Sequence, residues 1–216
     1  WMKAGSLGDR QHCRLMGSQD KCTTIPELAK VLGEHQGLGM PKVDGFGLEL
    51  TYGPPSGLRL ALSRGRRSGG ISWGEDLTEK VRHIDWREGD EGSFLESPDL
   101  YTNLGDTLGE VPVTIRGEGY INVENFAKAQ ALRARDGEKP FKNRRNAAAG
   151  IMSKGSPEYL ALLSFVAYEI FNPLLPHHED AGFVSKLDQL VILASLGFEV
   201  TPCQLAPVSA IADGEQ

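Results

Sequence analysis

Two alternating apolar stretches joined by a tight turn constrain this chain more than any other feature of it. Phe46, Leu48, Leu50 and Tyr52 alternate with Gly47, Glu49 and Thr51, the period-two signature of a half-buried strand. Gly53-Pro54-Pro55-Ser56-Gly57 then turns the chain, and Leu58, Leu60 and Leu62 alternate again. The pattern predicts a β-hairpin whose first strand starts just after Lys42 and whose second ends at Arg64. A hairpin returns its two ends to one place. Lys42 and Arg64 are therefore expected in one site, although 22 residues separate them.

The remaining elements read as a mixture. Thr24 before Pro26 and Glu27 marks a helix start, with Leu28, Val31 and Leu32 on one face. Residues 65–74 read as a flexible basic loop, followed by a short helix carrying Leu77, Val81 and Ile84. Residues 85–109 are acidic, rich in Gly, Ser and Asp, and read as a surface insertion. Val111, Val113 and Ile115 form a strand that delivers Glu118 from its far end. Residues 123–135 are a helix with Phe126, Ala129 and Leu132 spaced for burial. A buried strand over 162–170 precedes a helix with Leu187, Leu190, Val191 and Ala194 that ends at Gly197, and a last strand starts at Phe198. Strands and helices mix without strict βαβ alternation, so the fold class is α+β with largely antiparallel sheets flanked by helices.

Four segments carry the chemistry: Lys42-Val43-Asp44-Gly45, Arg64-Gly65, Arg116-Gly117-Glu118, and Asn143-Arg144-Arg145-Asn146-Ala147-Ala148-Ala149-Gly150. Lys-x-Asp-Gly alone also describes a strand end with a Gly turn. The last block specifies far more. An Ala-rich helix start would explain its alanines but not its flanking Asn, Arg and Gly. In this order the four segments resemble the adenylation domain of NAD-dependent DNA ligases. The resemblance spans roughly residues 12–202. It implies a single domain over 1–216 with a nucleotidyltransferase, ATP-grasp-like ligase fold, incomplete at its C-terminus.

The resemblance implies a lysine nucleophile. Lys42 would attack the α-phosphate of NAD to form enzyme-AMP, which is then used to seal nicks in DNA, with Mg²⁺ near the phosphates. A free lysine is protonated at neutral pH, so burial beside the apolar strand is expected to help neutralise it. Asp44 would orient the amine or support the metal, and it reads equally well as a turn residue before Gly45. Glu118 resembles the family glutamate that contacts adenosine, and a carboxylate accepts both ribose hydroxyl protons well. Arg64 and Arg145 resemble nucleotide-contacting arginines. Met16-Gly17-Ser18-Gln19-Asp20 partly matches a segment that passes near the adenine, which marks Ser18 and Gln19 as nucleotide-binding candidates.

Departures from the family pattern are informative. Met40 replaces a glutamate two residues before the lysine. Arg144 replaces a proline, so that loop is expected to be less rigid. A later arginine position falls near Ser153-Lys154. The later lysine segments of the family have no counterpart here. The 216 residues alone are therefore expected not to seal a nick, and a second chain carrying those motifs is one candidate partner. Two other readings stay open: a non-catalytic or split nucleotide-binding subunit, and another lysine nucleotidyltransferase using ATP or GTP.

Bulk properties narrow the partners. The net charge of −6 excludes binding of nicked double-stranded DNA through overall charge, so a local basic patch around Arg64, Arg66, Arg67, Arg144 and Arg145 must serve. Three scattered cysteines fit neither a disulfide framework nor a zinc site, which points to a reducing compartment. No apolar run reaches membrane-span length. The expected location is the cytoplasm of a bacterium or of a phage-infected bacterium. His177-His178-Glu179-Asp180 follows Pro176 and reads as a solvated turn, because four adjacent residues cannot converge on one metal.

Overall fold

The computed structural model describes residues 9–16, 22–32, 37–53, 57–84, 112–172 and 185–206. The expected insertion at 85–109, the turn at 177–180 and the candidates Ser18 and Gln19 lie outside the described residues.

The predicted hairpin is the centre of the fold. β3 (Phe46–Gly53) and β4 (Gly57–Ser63) pair antiparallel, and β3 pairs on its other edge with β7 (Val113–Tyr120). β8 (Ser164–Phe171) extends the sheet beside β7, and β9 (Glu199–Val200) closes it in the order β4-β3-β7-β8-β9. All neighbours are antiparallel except β8 and β9, which run parallel. Two small sheets accompany it. One is β1 (Asp9–Gln11), β6 (Ile71–Glu75) and β5 (Arg66–Ser68); the other pairs β2 (Gly37–Gly39) with β10 (Gln204–Ala206).

The helices are α1 (Ile25–Leu32), α2 (Thr78–Val81), α3 (Val123–Arg135), α4 (Arg144–Lys154), α5 (Pro157–Leu160) and α6 (Lys186–Ser195). One face of the large sheet is the main core. Leu48, Leu50 and Tyr52 of β3 meet Ile115 of β7, Phe165, Ala167 and Ile170 of β8, and Ala147, Ala148, Ile151 and Met152 of α4. The alanines let α4 sit close to β3 and β7, since a small side chain keeps the helix backbone near the strands. Asn143 starts this helix as its N-cap, its side chain accepting from the Asn146 N–H at 2.8 Å.

Several sequence expectations need correction. Residues 65–74 are not a loop: β5 and β6 form a second hairpin, and Gly69 and Gly70 turn it with φ of 58° and 78°. Two consecutive residues at positive φ make the tight turn that a twisted hairpin favours, and glycine reaches that region without a Cβ clash. Arg144 does not loosen a loop; it is the first residue of α4. Glu118 lies in β7 near the strand's far end, as read. Leu187 and Val191 of α6 are exposed, while Leu190 and Leu193 carry that helix's contact with the core. Gly197 ends α6 at φ 88°, as read.

Candidate active site

The second face of the large sheet is polar, and the candidate residues gather at one end of it. Gly47 pairs with Glu118 across β3 and β7, so the two share this face. The Arg64 N–H donates to the Gly47 carbonyl at 3.0 Å, which fixes Arg64 at the open end of the first hairpin. The backbone just before β3 is tied to the same place, because the Gly45 N–H donates to Glu118 Oε1 at 3.1 Å.

Lys42 and Asp44 precede β3 and are not part of the strand. Their side chains nevertheless meet: Lys42 Nζ lies 3.1 Å from Asp44 Oδ1. Arg145 Nη1, from the first turn of α4, lies 3.5 Å from the same oxygen. The expectation that Lys42 is desolvated against the apolar strand is wrong. Its side chain is 82 % exposed. Three cations (Lys42, Arg64, Arg145) thus face two carboxylates (Asp44, Glu118), and the free N–H groups of the α4 N-terminus add to the positive side.

Burial pushes the Glu118 carboxyl above the ordinary glutamate range, although the Gly45 N–H and the charges of Arg64, Lys42 and Arg145 pull it back. The site also has a shaped floor. A Cβ on Gly47 would come within 3.3 Å of Arg64 Cβ, 3.5 Å of Met16 Cε and 3.6 Å of Glu118 Oε2. Glycine there keeps the small hollow between those three side chains, no larger than a methyl group, free of a Cβ.

Residues 27–210 match the profile of the NAD-dependent DNA ligase adenylation domain. The chain belongs to that family. It is 30 % identical over 204 residues, 94 % of its length, to "DNA ligase 2" of Pseudarthrobacter chlorophenolicus, of which it covers 25 %. It is 33 % identical over 161 residues, 74 % of its length, to the "DNA ligase" of Halothermothrix orenii, covering 20 % of that protein. The "DNA ligase" of a Roseiflexus species is 32 % identical over 164 residues, with 74 % of this chain and 21 % of that one covered. The chain therefore spans a quarter or less of the length of these relatives.

Two neighbours of this candidate site escaped the sequence reading. Tyr168 of β8 is the first. Arg116 pairs with Glu169 and Gly117 with Ala167, so the β7–β8 register skips Tyr168. Such a bulge turns consecutive side chains toward one face, and both Tyr168 and Glu169 reach the polar side. Burial first, then the Glu118 and Glu169 carboxylates, push the Tyr168 phenol up to about 12. No local signal announced this, because a bulge depends on the partner strand. The second is Arg116, two residues before Glu118 and hence on its face. It was legible as part of Arg-Gly-Glu but had no role assigned.

Arg116 is buried in a polar layer next to the site. Its guanidinium meets Glu49 Oε2 at 2.7 Å and Glu169 Oε2 at 3.3 Å, and it stacks over Phe171 at 4.8 Å. His12 Nδ1 lies 3.0 Å from the other Glu49 oxygen. Burial alone would raise the Glu49 carboxyl, but His12 and Arg116 outweigh it and hold Glu49 below the ordinary range. Lys154, the residue near the displaced arginine position, sits at the opposite end of α4 from Arg145, about 13 Å along the helix. Arg66 pairs with Asp9, so this basic-patch candidate already has a carboxylate partner.

Proposed function

We propose that this chain is the adenylating part of an NAD-dependent DNA ligase and that Lys42 carries the adenylate. The observation that supports it best is the convergence of Lys42 and Arg145 on one carboxylate oxygen of Asp44, beside the Gly47–Glu118–Arg64 hollow. The finer fold reading goes with it: one nucleotidyltransferase domain of the ATP-grasp-like ligase type over 1–216, with 85–109 as a surface insertion.

In this reading NAD is the substrate. Its adenosine docks over the hollow, where ionised Glu118 accepts from the ribose hydroxyls and Arg64 faces the phosphates. Lys42 Nζ attacks the α-phosphorus, a phosphoramidate P–N bond forms, and the P–O bond to nicotinamide mononucleotide breaks. The exposure of Lys42 places its amine where a phosphate can approach it. Asp44 orients the ammonium and can take up its proton as the amine becomes nucleophilic. Arg145 and the α4 N-terminus offset the charge that builds on the phosphate.

Mg²⁺ suits this site as a partner of the substrate more than as a resident of the protein. Among the described residues no group of three or more His, Cys, Asp or Glu side chains could hold a metal ion. Mg²⁺ is commonly held by one or two carboxylates together with substrate phosphates, and Asp44 is the carboxylate that would serve. When bound it would supply Lewis-acid polarisation of the phosphate.

The later steps belong to the whole ligase: AMP passes to a DNA 5′-phosphate, and a 3′-hydroxyl then displaces it at a nick. The bacterial sources of the relatives favour a bacterial cytoplasm, and among the described residues no helix is long and apolar enough to cross a membrane. Incubation with NAD and Mg²⁺, followed by intact-mass and peptide analysis, tests the reading. Adenylate on Lys42, absent in Lys42→Ala, is the expected result. Adenylate on another lysine, or labelling by ATP but not by NAD, overturns it.

A further inference from the structure

We propose that Arg116 is a positioning residue that builds one wall of the nucleotide hollow by holding the segment His12–Met16 against the sheet. The inference rests on the reading of that hollow as a nucleotide site.

Two hydrogen bonds and two ion pairs carry it. Arg116 Nη2 donates to the Arg14 carbonyl at 2.7 Å, and Nη1 donates to the Leu15 carbonyl at 3.4 Å. The same guanidinium is fixed from below by Glu49 and Glu169. One side chain thus joins two strands of the sheet to the backbone of a segment about a hundred residues earlier in sequence. That segment ends at Met16, which is buried and whose methyl group stands over Gly47 beside Arg64 and Glu118. The Met16 N–H is held from the other side by Ser72 Oγ of β6 at 2.9 Å. The His12 N–H donates to the Ser72 carbonyl at 3.0 Å, and the His12 ring meets Glu49.

The geometry separates Arg116 from the groups that would touch nucleotide. Its five N–H donors point at Glu49, Glu169 and the two carbonyls, away from the hollow. It acts through Met16. A planar fork can meet a carboxylate and two carbonyls at once; a lysine ammonium keeps the charge but not that spread. Arg116→Lys should therefore leave Glu49 with a cation while releasing Arg14 and Leu15.

The test uses the 216-residue chain with AMP and with NAD as calorimetric ligands, together with amide hydrogen exchange. In Arg116→Lys, AMP should bind about tenfold more weakly, the scale of one lost well-placed contact. Exchange at the Met16 amide should quicken while Leu50 and Ile115 in the core strands keep their protection. Ser72→Ala removes the second hold on Met16 with little change of shape, and should move both readouts in the same direction. If Arg116→Lys does not fold, Glu169→Gln, which keeps the shape but loosens one anchor of the Arg116 guanidinium, takes its place in both readouts. Parental binding in the folded variants, or weakened binding without faster Met16 exchange, overturns the role of Arg116 and leaves the site reading standing. A parent chain that binds neither AMP nor NAD overturns the site reading and this inference with it.

Discussion

Gly45 and Glu118, 73 residues apart, are joined by a backbone N–H donated to a carboxylate oxygen at 3.1 Å. The bond ties the lysine segment to the strand that carries the candidate ribose-binding glutamate. It also explains the glycine, because a Cβ at position 45 would collide with the Gly119 carbonyl oxygen.

Gly45→Ala should therefore damage stability and site together. Relieving the clash means moving the 42–45 segment off β7, at a cost of about 1–3 kcal/mol. Urea denaturation should show the loss, and adenylate formation on Lys42 should fall by a larger factor than stability predicts. An alanine variant with parental stability and labelling would refute the coupling.

Glu118 gives a pH signature. Its carboxyl is raised by burial, so the folded protein keeps that proton to higher pH than the unfolded chain does. Its ionisation therefore costs folding stability as pH climbs from the ordinary glutamate value through the raised one. Only the ionised form accepts from two ribose hydroxyls. AMP affinity should thus begin to fall, on acidification, at a higher pH than an ordinary glutamate would give. Titrations over roughly pH 4 to 7 should show this step in the parent and not in Glu118→Gln.

Glu49 works with the opposite sign. Its carboxyl is held low by His12 and Arg116, so its stabilising contribution is present above the ordinary glutamate value and is lost as pH falls through the depressed one. Glu49→Ala would leave the Arg116 guanidinium buried without its main counter-ion, costing roughly 3–5 kcal/mol. Chemical denaturation at neutral pH measures that loss; a cost under about 1 kcal/mol, the scale of an exposed pair, would show the pair is not structural.

Arg145 should separate binding from folding. Its side chain is 58 % exposed and contacts Asp44 only at 3.5 Å, so Arg145→Ala should leave the melting temperature near that of the parent. Single-turnover labelling by NAD should slow on the order of a hundredfold if Arg145 offsets phosphate charge. Asn143→Ala, one step outside the helix, should instead cost about 1 kcal/mol through the lost N-cap.

The sequence by itself determined what depends on local rules. Alternation set β3 and β4, which pair from Gly53 and Gly57 onward, and the hairpin brought Lys42 and Arg64 to one end. Three- and four-residue spacing set α3, and Gly197 set the end of α6. The β5–β6 hairpin was legible in Gly69-Gly70, but its strands carry Arg66, Arg67 and Ser68, with no apolar alternation to mark a face. What only the tertiary structure decided depends on distant partners. Glu49 meets Arg116 across 67 residues, and Arg116 meets Glu169 across 53. Neither charge has a local reason to be buried, and each is tolerated because the other is there. The bulge that brings Tyr168 to the site exists only in the register of two strands. The exposure of Lys42 lies outside the reach of periodicity, because Lys42 precedes β3 and the strand has not yet begun.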